Sequence, residues 1–91
     1  MSFIPAQCRA ARALLALSQK DLATSSGVGL RTIVNFEGGL SLPIANNLAA
    51  IRRALEEAGV IFIAENGAGP GVRLRNNQSQ VTTSGGGGSD L

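Results

Sequence analysis

The sequence predicts a mainly α fold: four short helices followed by a short pair of β-strands. Three observations carry that reading. From Ala6 to Ala58 apolar residues recur at helical spacing. Pro5, Ser18, Gly27, the pair Gly38-Gly39 and Gly59 cut this stretch into four pieces at positions where helices start and stop. Beyond Gly59 the period changes, with a β-branched run Val60-Ile61-Phe62-Ile63-Ala64 and an alternating Val72-Arg73-Leu74-Arg75.

Each element has its own signals. Pro5 suits the first turn of a helix, where its missing N–H costs nothing, and a first helix is expected from Ala6 to Ala16, with Ala10, Ala13, Leu14 and Leu17 at helical spacing. Arg9 and Arg12 share one face of it. Ser18 is an N-cap with Asp21 three residues on, a capping box, and Leu17 and Leu22 stand as a hydrophobic staple. The second helix runs from Gln19 to Ser25, and Gly27 ends it in the left-handed cap conformation. The third runs from Leu30 to Glu37. Its spacing makes Ile33 and Phe36 the core pair and turns Arg31, Thr32 and Asn35 outward. The fourth spans Ala45 to Ala58, with Leu48, Ile51, Leu55 and Ala58 on one face and Gly59 as cap. Glu65 to Gly71 is a glycine-rich turn between two strands, and the polar stretch from Asn76 ending in GGGGSDL reads as a disordered tail or linker.

Composition limits the function classes. A chain of 91 residues holds one small domain, and aromatics at 3% leave Ala, Leu, Ile and Val to build its core. Net charge is +2, and the excess of Lys and Arg lies in the first forty residues, with Arg9, Arg12, Lys20 and Arg31 against Asp21 and Glu37. This is a mild electrostatic footprint. The single cysteine, Cys8, excludes an internal disulfide and fits a reducing cytoplasm, where it is expected as a small buried residue. With no His, neither a Ser-His nor a Cys-His catalytic pair exists, and no cofactor or metal is expected. No apolar run approaches the roughly 20 residues of a membrane span, and no secretory signal is evident. The turn Asn66 to Gly71 is phosphate-loop-like only in its glycine content; it lacks the lysine and following helix of such a loop. Glu37 is expected to be structural, pairing with a basic residue or capping the next loop. Arg52 and Arg53 are expected to pair with Glu56 and Glu57 at i, i+4.

Two short helices around a tight glycine turn, the second with polar side chains opposite its core face, are the layout of a helix-turn-helix. Residues Arg9, Leu17-Ser18-Gln19, Leu22-Ala23, Ser26-Gly27-Val28, Thr32-Ile33, Asn35, Glu37, Gly39, Pro43, Leu48, Ile51 and Ala54-Leu55 carry a further likeness. From about Ala6 to Ala58 the chain resembles the Xre type of the Cro/C1 helix-turn-helix family, small DNA-binding transcriptional regulators. The resemblance implies a four-helix, lambda-repressor-like domain that binds double-stranded operator DNA as a homodimer. The strand pair is similar to an extension found in some short members.

By that resemblance Gln19 holds a DNA phosphate and braces the recognition helix. Leu30, Arg31, Val34 and Asn35 fall where base edges are reached, and Thr32 where the backbone is touched. The chemistry is compatible: Arg offers a fork for guanine O6 and N7, Asn pairs with adenine N6 and N7, and Leu30 or Val34 can pack on a thymine methyl. Arg9 and Arg12 would add phosphate contacts, as would backbone amides at the starts of the second and fourth helices. Two departures reduce phosphate contact. Gly29 stands where a Ser or Thr N-cap is common, and Gly38-Gly39-Leu40 where a basic loop residue is common.

Three regions are therefore expected: 1–59 as DNA-binding domain, 60–75 as a β-strand dimerisation extension, and 76–91 as a disordered tail. An isolated hairpin is marginal in water, and both faces of Val60-Ile61-Phe62-Ile63 are apolar. With Val72 and Leu74 these residues are expected to form the dimer interface. The expected function is a cytoplasmic, sequence-specific transcriptional regulator, a dimeric repressor on an inverted repeat. The alternative is a protein-interaction module, such as an antitoxin or antiactivator acting through the apolar strand segment. No enzyme is expected.

Overall fold

The computed structural model describes residues 3–75. Four helices, α1 (Pro5–Leu15), α2 (Gln19–Ser26), α3 (Leu30–Glu37) and α4 (Ala45–Ala58), precede an antiparallel hairpin of β1 (Val60–Ile63) and β2 (Gly71–Leu74). The tail expected over 76–91 lies outside the described residues.

The local signals explain most boundaries. Ser18 Oγ accepts from Asp21 N at 2.9 Å and the Asp21 carboxylate accepts from Ser18 N at 3.1 Å, closing the capping box. Gly27 ends α2 at φ 73°, its N–H bonded to Ala23 O. A side chain there would meet no atom, so only the backbone conformation demands glycine. α1 begins and ends one residue before its expected limits, because Ala16 leaves the helix at φ 57°. That left-handed step lets Leu17 N bond back to Arg12 O and turns Leu17 onto the core.

The core is a single cluster of Phe3, Cys8, Ala11, Leu22, Val28, Ile33, Phe36, Ile51, Ala54, Leu55 and Val60. Ile33 and Phe36 face inward on α3 as their spacing predicts. Two helix faces are corrected. On α1 the buried residues are Gln7, Cys8 and Ala11, while Ala10, Ala13 and Leu14 are exposed. On α4 Ala54 joins Ile51 and Leu55, and Ala58 is exposed. Periodicity alone leaves the phase of an alanine-rich helix open, since Ala satisfies either side. Tertiary packing chose the side with Cys8 and Ala11, both wholly buried.

Phe3, ahead of the first helix, is buried against Phe36 at 5.6 Å and Phe62 at 4.9 Å between ring centroids. All three phenylalanines thus form one aromatic chain linking the N-terminus, α3 and β1. Arg52 lies 5.2 Å over Phe62 and bonds Glu56 at 3.0 Å. Arg53 makes no ion pair among the described residues.

Register in the hairpin pairs Val60 with Leu74, Ile61 with Arg73, Phe62 with Val72 and Ile63 with Gly71. Side chains alternate across a strand, so Val60, Phe62, Val72 and Leu74 share the face that packs on the helices. Four of the six residues expected at a dimer interface thus lie on the chain's own core: Val60 is wholly buried, and Phe62, Val72 and Leu74 are half-buried and packed against it. Ile61 and Ile63 occupy the other face beside Arg73. Gln7 fastens the hairpin to α1. Its Nε2 donates to Gly71 O at 3.0 Å and Ile63 O at 3.5 Å, and its Oε1 accepts from Ile4 N at 3.1 Å.

Candidate nucleic-acid interface

α3 is divided lengthwise. Ile33, Phe36 and Glu37 are buried, whereas Leu30 is 44% and Val34 39% exposed, with Arg31 exposed between them. Thr32 and Asn35 are half-buried at the margins of that outer strip. No hydrogen bond or ion pair engages the Arg31 or Asn35 side chain among the described residues. Gly29 and Ile44, at the starts of α3 and α4, supply no side-chain cap, so the first-turn amides of both helices lack side-chain acceptors.

Beneath this strip Glu37 ties three helices together. Its two carboxylate oxygens accept from Arg12 Nε and the second guanidinium nitrogen at 2.7 Å each, a two-pronged pair. Oε1 also accepts from Gln19 Nε2 at 3.0 Å, and Oε2 from the Cys8 thiol at 3.0 Å. Arg9 donates to the Glu37 backbone carbonyl. Burial pushes the Glu37 carboxyl up, but the hydrogen bonds from Arg12, Cys8 and Gln19 and the charge of Arg12 outweigh it and leave the carboxyl below its ordinary range. The hydrogen bond to Glu37 holds the Arg12 proton more firmly than usual. Burial, then the neighbouring carboxylate, raises the Cys8 thiol far above its ordinary value, so it stays protonated and serves as a donor.

These contacts redistribute the expected site. Arg12 is corrected from phosphate contact to structural ion-pair partner: its remaining terminal nitrogen donates to Leu17 O at 3.0 Å. Its guanidinium is directed entirely at the protein. Arg9 is exposed as a residue but shares one donor with Glu37. Gln19 is half-buried and braces the C-terminal end of α3 through Glu37. Leu30, Arg31, Thr32, Val34 and Asn35 lie together on one short helix.

Sequence reasoning missed Gln7 and the Cys8–Glu37 contact. Gln7 carried one usable signal, its position as third residue of a helix, where an amide can bond the N-cap N–H. The reach of its other end to β2 had none. No metal-ligand cluster occurs among the described residues, and no helix there is long and apolar enough to cross a membrane. No protein-family model matches the chain, and no match is found among curated proteins.

Proposed function

We propose that the protein is a sequence-specific DNA-binding regulator in which α2 and α3 act as a helix-turn-helix and α3 enters the major groove. One observation carries the reading: α3 exposes Leu30, Arg31 and Val34 opposite a buried Ile33 and Phe36, and the Arg31 side chain has no hydrogen-bond or ion-pair partner among the described residues. A cation flanked by two exposed aliphatic side chains on a rigid helix has no packing purpose there. It matches a base-pair edge, with Arg31 on guanine, Asn35 on adenine and Leu30 or Val34 against a thymine methyl. Thr32, Gln19, Arg9 and the uncapped α4 amides are the candidates for phosphate contact, which fixes register without reading sequence. Arg12 acts indirectly, by holding Glu37 and thereby Gln19. The regulator works in the cytoplasm as a homodimer on an inverted repeat, and represses by occupying a promoter.

The test is a mobility shift on DNA from the upstream region of its own coding sequence, with excess competitor and at two salt concentrations. Two lost base contacts at about 1–3 kcal/mol each predict that Arg31→Ala with Asn35→Ala weakens binding on the order of a hundredfold. Affinity should also fall steeply with salt as phosphate contacts release counterions. A shift untouched by the double variant would overturn readout by α3.

A further inference from the structure

The outer strip of α3 consists of two ridges side by side. Residues four apart on a helix stand one above the other, so Leu30 and Val34 form one ridge and Arg31 and Asn35 the next. Leu30 is 44% and Val34 39% exposed, and Arg31 is exposed beside them. The buried Ile33 and Phe36 hold the helix from behind. The one acid of α3, Glu37, is buried and engaged by Arg12, so no carboxylate of this helix lies on the outer strip. Such a strip matches a ligand that carries an apolar group directly beside a pair of hydrogen-bond acceptors.

Base edges in the major groove offer one aliphatic group, the methyl on C5 of thymine, and one acceptor pair suited to a guanidinium fork, guanine O6 and N7. We propose that α3 reads the two as one unit: a C5-methylated pyrimidine stacked beside a guanine, with the methyl against Leu30 and Val34 and the guanine under Arg31. This rests on the DNA reading above and names the substrate class of the same site. Val34 lies about 60° around and about 4.5 Å along α3 from Arg31. That offset suits neighbouring bases, which are about 3.4 Å apart.

The Leu30–Val34 ridge has no polar side-chain atom. It senses the methyl and not the group on C4 that distinguishes thymine from cytosine. 5-Methylcytosine carries the same methyl on the same carbon as thymine, so it satisfies the ridge equally. Unmethylated cytosine has a bare C5–H and leaves the ridge uncovered. Binding is therefore sensitive to cytosine methylation next to the guanine that Arg31 reads.

A mobility-shift selection by the full chain from a randomised duplex library supplies the probe. In the selected duplex each thymine beside a guanine is replaced in turn by uracil, which removes the methyl alone. The same base pair is also replaced by cytosine–guanine and by 5-methylcytosine–guanine. Wild type and the double variant Leu30→Ala with Val34→Ala are titrated against all four forms, each protein with a thermal melt. Both side chains are exposed, so melting should be unchanged. At one position or more, wild type should lose about fourfold in affinity per methyl, both from thymine to uracil and from 5-methylcytosine to cytosine. The double variant should bind the methylated and unmethylated member of each pair alike. A selected duplex with no thymine beside a guanine overturns the proposal. Wild-type affinity indifferent to the methyl at every such position overturns it too, as does a methyl preference that survives in the double variant. These results leave DNA binding itself standing. Selection of no duplex at all overturns the DNA reading and this inference with it.

Discussion

Glu37 is the residue on which most depends. Its carboxylate is nearly dry and holds Arg12, Gln19 and Cys8 at once, so its removal strands donors from two helices. Removing one partner of a buried ion pair costs about 3 kcal/mol or more, and Glu37→Gln should lower stability in urea titrations at neutral pH by roughly that amount. Acid dependence gives a second readout. The folded carboxyl lies below its ordinary value of 4.5, so the unfolded chain takes up this proton first. The stabilisation is complete above that value and is lost as pH falls through the lower, folded one. Wild type should therefore lose stability below about pH 4.5 more steeply than Glu37→Gln; parallel acid profiles would show that the pairing contributes nothing. Substitutions of Arg31 and Asn35, whose side chains have no hydrogen-bond or ion-pair partner among the described residues, should alter DNA affinity without altering either profile.

Among the elements, α2 and α3 are each eight residues long, too short to persist alone in water. They exist through their caps and their burial. Ser18→Ala removes the acceptor for Asp21 N and should cost about 1 kcal/mol by thermal melting. Because Gln19 is the first residue of α2, fraying of that turn should also loosen its hold on Glu37. A wild-type melting temperature in Ser18→Ala would mean that the capping box is replaced by water without loss. The hairpin is likewise not self-sufficient. Gln7 fastens it at one end, and at its base Arg75 N bonds Gly59 O at 2.7 Å and the Arg75 side chain reaches the Glu56 carbonyl.

At the scale of the whole molecule, helices and hairpin share one core. Ending the chain at Gly59 removes Val60, Phe62, Val72 and Leu74, uncovers Phe3 and leaves the Gln7 amide without its strand carbonyls. Each large buried apolar side chain lost costs about 2–5 kcal/mol, against a total of about 5–15 kcal/mol for a small domain. The truncated chain should thus lose cooperative thermal unfolding by circular dichroism. A sharp melt in it would show the helices to be an independent unit.

The sequence by itself determined the number, order and approximate bounds of the elements, because caps, glycines and the change from helical to alternating period are local physics. It also put Ile33 and Phe36 inward and Arg31 outward on one helix. Asn35 and Thr32 came out half-covered instead of fully turned to solvent. Tertiary structure alone decided which side of α1 is buried, since alanines on both sides make its phase ambiguous. It alone brought Arg12 and Gln19 onto Glu37, 25 and 18 residues away, withdrawing Arg12 from the candidate phosphate contacts. It also folded the inner face of the hairpin onto the chain's own helices. Two-sided apolar character in a strand says that both faces need cover, but only the packing of distant segments decides whether that cover is the same chain or another.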